Sequence, residues 1–196
     1  MHGQCNTRRP QQVGPDRRKG FSGRAGVTLL ELLIVLVITA VLASLALPGL
    51  GAFSTRKTLS RQADRIALTL CRARDLAMED GFPWRVQFDP GNGSWVCFGD
   101  EDNDSAMDEH ERRLGPERLE DGVAFGSTVR PGPNKSDVPE DGISLVDDRV
   151  SFSPMGTCNS GTIYLRSKDR SMAIRVLPAS GVVRVWEYRE DWEVVR

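Results

Sequence analysis

The chain has 196 residues with 26 basic and 27 acidic side chains, a net charge of −1, and 27% of its residues are charged. Its two histidines, His2 and His110, are too few for a histidine-built zinc or catalytic centre. No P-loop, nucleophile elbow, convincing catalytic triad or metalloprotease motif occurs, so a membrane-anchored hydrolase is the weakest functional class and no enzyme activity is expected.

Residues 1–26 are polar, with Arg8, Arg9, Arg17, Arg18, Lys19 and Arg24 against the single acid Asp16. An apolar run of 21 residues follows, from Val27 to Leu47, interrupted by one charge, Glu31. As a helix this run reaches about 30 Å, the thickness of a bilayer core. The basic flank holds the N-terminus in the cytoplasm and sends the rest of the chain outward. A charge in hydrocarbon costs roughly 2.5–3.5 kcal/mol on insertion scales, so Glu31 needs a purpose.

Three readings compete for this unit. A cleaved secretory signal has a small-x-small site at Ser44-Leu45-Ala46, but it would be too long and would bury an acid. A plain signal anchor explains length and flank and leaves Glu31 without a role. The third starts from Gly26-Val27-Thr28-Leu29-Leu30-Glu31-Leu32-Leu33, which resembles the type IV prepilin motif, with Pro48 where pilin helices commonly carry a kinking proline. The resemblance implies that residues 1–26 are a leader cut after Gly26 by a prepilin peptidase. It also implies that Val27, where most of the family has phenylalanine, becomes an N-methylated N-terminus, and that residues 27–47 form the transmembrane and filament helix.

Packing gives Glu31 its purpose on that reading. In a water-free helix bundle, Glu31 and the amine of Val27 on a neighbouring chain are each costly alone and compensate when paired. Such pairing favours subunit docking and fixes axial register. Without the leader the chain carries 20 basic and 26 acidic residues, a charge of −6. An acidic module outside the cytoplasm is a poor general partner for nucleic acid.

Beyond the apolar run, Leu59, Ala63, Ile66, Leu70, Ala73 and Ala77 recur at spacings of four and three, one stripe of a helix that Gly81 and Pro83 end. The helix is expected to bend at Pro48. Trp84–Phe88 alternates at period two, Pro90-Gly91-Asn92-Gly93 turns the chain, and Ser94–Phe98 completes a hairpin. Further strands are expected at Gly122–Val129, Arg149–Ser153, Gly161–Leu165, Met172–Val176 and Val182–Trp186. The Pro- and Gly-rich stretch from Arg130 to Gly142 reads as a mobile loop. A head of about 140 residues is one domain, and one helix on antiparallel strands makes the fold class α+β, with residues 48–196 as a periplasmic head.

Cys5 falls in the leader, which leaves Cys71, Cys97 and Cys158, enough for one disulfide and a spare thiol in an oxidising compartment. Cys97 and Cys158, in strand or loop segments, are the expected pair. Cys71, on a helix face, is expected to be a small buried hydrophobe.

In the C-terminal half, Val150–Gly156, Gly161–Leu165 and the turn Ser180-Gly181 before Val182-Val183-Arg184-Val185 resemble the GspH/FimT domain of minor pseudopilins and pilins. The resemblance implies a low-abundance subunit that primes or caps a filament, either the pseudopilus of type II secretion or, as the alternative, a type IV pilus. The implied partners are other major and minor pseudopilins or pilins, the prepilin peptidase and an inner-membrane assembly platform. The implied location is single-pass in a bacterial inner membrane with the head in the periplasm. FimT-type proteins can bind DNA through a Gly-Arg-x-Arg turn. Here Gly181-Val182-Val183-Arg184 keeps only the second arginine, so Arg184 is the one candidate DNA contact and nucleic acid is not an expected partner.

A last constellation spans Asp100 to Glu111. Asp100, Asp102, Asp104, Asp108 and Glu111 occupy places one, three, five, nine and twelve of a twelve-residue loop, with the Ala106 carbonyl at seven, the ligand rhythm of a calcium loop. Ser105 replaces the turn glycine and no flanking helix pair is evident. The competing reading is a solvated acidic loop. No cofactor is required, and calcium is the one candidate.

Overall fold

The computed structural model describes residues 27–196, apart from the side chains of residues 45–56. Gly26, the leader and Cys5 lie outside the described residues. The chain divides into two compact units, Met1–Leu45 and Ala46–Arg196. One helix, α1 (Leu29–Asp80), belongs to both in sequence. Thr28 starts it: its Oγ1 accepts the N–H of Glu31 at 3.2 Å and its carbonyl accepts the N–H of Leu32 at 3.2 Å. Glu31 thus stands in the first turn, where a carboxylate complements the helix dipole. The backbone around Pro48 is helical, and the side chain on which the expected bend rests is not described.

In the second unit, the stripe Leu59, Ala63, Ile66, Leu70, Ala73 and Ala77 is buried as its spacing requires. Gly81 closes the helix at φ +78°, its N–H donating to the Ala77 carbonyl at 3.2 Å. Two antiparallel sheets share one core with this stripe. The first contains β1 (Trp84–Asp89), β2 (Ser94–Gly99), β3 (Arg113–Arg118) and β5 (Arg149–Phe152) in the order β3-β2-β1-β5. The second contains β4 (Ala124–Phe125), β6 (Gly161–Arg166), β7 (Ser171–Leu177), β8 (Val182–Tyr188) and β9 (Trp192–Val194) in the order β4-β6-β7-β8-β9.

Register follows the period-two pattern. Trp84, Val86 and Phe88 pair with Gly99, Cys97 and Trp95, and the partners on this face fill the core. Gly99 is obligatory there, because a Cβ would come within 2.8 Å of the Phe82 ring and 3.0 Å of Trp84. Arg65 bonds Glu117 of β3 at 2.6 Å, Arg61 bonds Glu120 at 2.5 Å, and Arg196 reaches Asp64 at 2.8 Å, fastening strand edges and the C-terminus to the helix.

Several expectations are corrected. The strand expected over Gly122–Val129 shrinks to Ala124–Phe125; Gly126 adopts φ +123° and makes one last bond to β6, its N–H donating to the Tyr164 carbonyl at 2.9 Å. The segment from Arg130 to Gly142 packs on the second sheet: Val138 is buried and Ser136 Oγ lies 3.0 Å from Tyr164 Oη. Cys97 and Cys158 are both free thiols. Cys97 is enclosed in the core face of β2, while the Cys158 thiol donates to the Leu177 carbonyl at 3.6 Å. Cys71 is exposed, because it lies off the buried stripe formed by its neighbours Leu70 and Ala73.

Candidate functional site

Three regions carry the residues singled out in the sequence. At the N-terminus, Val27, Leu29, Leu30, Leu33 and Leu36 are between 53% and 82% exposed. Exposure extends around the whole helix from Val27 to Ser44, and Glu31 shares it. Within the described residues no helix is long and apolar enough to cross a membrane. The expected segment 27–47 runs into residues 45–47, whose side chains are outside the description. Val27, whose nitrogen would become an amine only on cleavage after Gly26, and Glu31 are both exposed.

The second region is the loop from Asp100 to Glu111, which follows β2. Asp100 is fully buried and is held by an ion pair with Arg85, which projects from the face of β1 opposite the core. The same guanidinium donates to Ser151 Oγ at 2.8 Å and to Asn103 Oδ1 at 3.1 Å, and Arg149 donates to the Ser105 carbonyl at 2.5 Å. Two arginines of neighbouring strands therefore fasten the loop to the first sheet. The loop carboxylates also bind its backbone: Asp100 Oδ1 and Asp102 Oδ1 accept the Asp104 N–H at 3.1 and 3.2 Å, and Asp104 Oδ1 accepts from Ala106 at 2.7 Å. Glu111 accepts from Glu101 and Asp108, each at 3.1 Å.

Of the expected calcium ligands, Asp100, Asp102 and Asp104 bring carboxylate oxygens within 4.8 Å of one another, whereas Asp108 and Glu111 are not in that group. Ser105 adopts φ +71°, the left-handed conformation a glycine would supply at that place. Asp100 is already neutralised by Arg85, so a cation there competes with a guanidinium. Sequence reading missed Arg85, whose partner lies fifteen positions away; the available signal was an arginine inside an alternating strand.

The third region is the β7–β8 turn. Gly181 sits at φ +59°, where a Cβ would come within 2.5 Å of the Gly156 carbonyl, so the turn glycine has a packing reason. Arg184 is exposed and stands opposite Arg175 across the two strands. Like charges directly opposite are unfavourable unless an anion lies between them. Arg175 is visible as a neighbour only from the register.

The thiols are chemically quiet. Burial pushes Cys97 up to about 12 and Cys158 up to about 11, the latter eased slightly by Arg74. Nothing in these groups resembles a nucleophile.

Comparison with known proteins assigns both halves of the chain. Residues 62–180 match the family model of the type II transport protein GspH, and residues 21–47 match the prokaryotic N-terminal methylation motif. No curated protein matches. Two solved structures of the minor pseudopilin EpsH from the type II secretion system of Vibrio cholerae are similar at 12% and 11% identity, each with a TM-score of 0.44. They cover 65% and 66% of this chain and 94% and 93% of their own. At that score the assignment rests on the family match instead, which takes in more than half of the chain: the protein belongs to the GspH family of type II transport proteins.

Proposed function

We infer that this chain is a minor pseudopilin of type II secretion, a structural subunit that contributes to priming or tip assembly of the pseudopilus and so to protein secretion. The observation that carries the reading is the joining of a methylation motif at 21–47 to a GspH match at 62–180, with exposed apolar side chains along the first helix. Such a helix is stable only where lipid or neighbouring helices cover it.

Cleavage after Gly26 frees the amine of Val27, which is then methylated. In lipid or in the filament, that amine meets Glu31 of an adjacent subunit. Within a single subunit Glu31 also favours the helix N-terminus, where Thr28 caps it. The head stands in the periplasm, and the partners are other pseudopilins, the peptidase and the assembly platform.

Glu31→Ala tests the assembly role. The variant is expected to stay in the membrane fraction while secretion and crosslinking to other pseudopilins fall; unchanged secretion removes Glu31 from assembly. The alternative, a pilus subunit acting in DNA uptake, draws on Arg184 beside Arg175. A salt-dependent gel shift lost in Arg184→Ala supports it, and no shift removes it. Calcium at Asp100, Asp102 and Asp104 would rigidify the loop; a melting temperature unmoved by millimolar calcium removes that role.

A further inference from the structure

A cavity of about 410 Å³ opens between the segment Val129–Lys135 and the β8–β9 hairpin. Its floor is aromatic. Trp186, Tyr188 and Trp192 line it, with the Tyr188 and Trp192 rings 5.5 Å apart at 66°. Its walls are charged with opposite sign: Arg130 and Lys135 come from the loop, Glu190 and Asp191 from the hairpin tip. None of these four forms an ion pair among the described residues. Among the described residues, the one side-chain hydrogen bond any of them makes is Asp191 Oδ1 accepting the Trp192 N–H at 2.7 Å.

The walls are built firmly. Trp192 Nε1 donates to the Pro131 carbonyl at 3.0 Å, and the Gly132 N–H donates to the Ser136 carbonyl at 2.9 Å. Asn134 and Lys135 are both held at positive φ, 56° and 58°, a strained backbone that surrounding contacts must sustain. Trp186 packs against Val138, Tyr164 and Ala173, and its indole Nε1 is buried beneath the floor.

We propose that this cavity binds a zwitterionic phosphorylated amine, of the phosphocholine or phosphoethanolamine class. The ammonium rests on the aromatic floor beside Glu190 and Asp191, where cation–π attraction adds to charge pairing. The phosphate lies between Arg130 and Lys135, and arginine in particular matches phosphate geometry. Electrostatics selects this class over simpler ions. A lone anion would face Glu190 and Asp191, and a lone amine would face Arg130 and Lys135; only a ligand carrying both charges satisfies both walls. The site is independent of the secretion reading, since it uses no residue of the N-terminal unit or of the acidic loop.

Full-length protein in a maltoside detergent is titrated with phosphocholine, phosphoethanolamine, choline and inorganic phosphate while tryptophan fluorescence is followed. The expected result is saturable binding of one or both zwitterions, with choline and phosphate each at least about tenfold weaker. Glu190→Gln with Asp191→Asn weakens the zwitterion about tenfold and tightens phosphate, and Arg130→Gln with Lys135→Gln weakens both. All four positions are exposed, so these variants keep the fold. Monomeric short-chain phosphatidylcholine binding more tightly than phosphocholine identifies a lipid headgroup, and equal binding identifies the free compound. Phosphate binding as tightly as the zwitterions overturns the proposal. So does no saturable signal by about 20 mM, or tighter binding of a peptide carrying lysine and aspartate, which would assign the cavity to a protein partner.

Discussion

One helix, α1, carries two kinds of apolar surface. From Val27 to Ser44 every side chain is exposed on all faces. From Leu59 to Ala77 the apolar residues Leu59, Ala63, Ile66, Leu70, Ala73 and Ala77 fall on one stripe and vanish into a core shared with both sheets, while Leu68 stays exposed off the stripe. The difference is one of accounting for water. The second stretch completes its own hydrophobic burial within the chain, whereas the first can complete it only with lipid or other subunits. The head is therefore expected to set solution stability and the N-terminal stretch to set assembly, and substitutions in the two should separate cleanly.

The largest effect on stability is expected at the Arg85–Asp100 pair. Arg85→Met leaves a buried carboxylate without a partner, a class of change that costs about 3–5 kcal/mol. Adding Asp100→Leu should recover much of the loss, and chemical denaturation of the single and double variants checks this. Leu70→Ala follows at about 2–5 kcal/mol, because Leu70 is fully enclosed. Leu33→Ala, in the exposed stretch, should leave the melting temperature of the head unchanged while weakening subunit crosslinking. A large fall in head stability from Leu33→Ala would break the division between the two surfaces.

Thiol chemistry sharpens the same comparison inside the head. Native protein alkylated at pH 8 should be labelled at exposed Cys71 well before Cys97, whose thiol burial pushes up to about 12. The Cys71 thiol is itself pushed up, by burial first and then by Asp75, so labelling is slow until the pH rises. Peptide mapping by mass spectrometry reads the order. A linked Cys97–Cys158 peptide would overturn the free-thiol state.

The smallest effect belongs to Asp148. Partial burial, then the charges of Asp141, Asp147 and Asp89, push its carboxyl above the ordinary aspartate value of 3.8. A raised folded-state value means that the charged form is disfavoured on folding. The contribution to stability is thus favourable below the unfolded value and lost as pH rises through the folded one. Asp148→Asn should raise the melting temperature slightly at pH 7, and the gain should disappear as pH falls below the aspartate range.

What the residues revealed in advance follows from periodicity. The helix stripe, the Trp84–Phe98 hairpin and the three C-terminal strands announce themselves because buried faces impose spacings of 3.6 and 2. Strand β3 does not: five of its six residues are exposed, and Gly115-Pro116 interrupts any strand pattern, as an edge strand tolerates. Strand β9 has three residues, too few to show a period. The stretch from Arg130 to Gly142 reads as mobile from its prolines and glycines, yet Val138 and the hydroxyl of Tyr164 give it long-range partners that composition does not encode. The paired thiols failed for a similar reason, since two cysteines in strands or loops need not be neighbours. In the candidate sites, the N-terminal methylation motif matched at residues 21–47 is a local string and so could be read directly. The Arg85 clamp, the Arg175 neighbour of Arg184 and the charged cavity depend on register and packing, which no short string contains.

The central claim is that this chain enters a filament as a processed subunit whose first residue is Val27. Intact-mass and N-terminal peptide analysis of protein isolated from peptidase-competent cells measures this directly. The account predicts a mature chain beginning at N-methylated Val27, and a chain that retains residues 1–26 in such cells would contradict it.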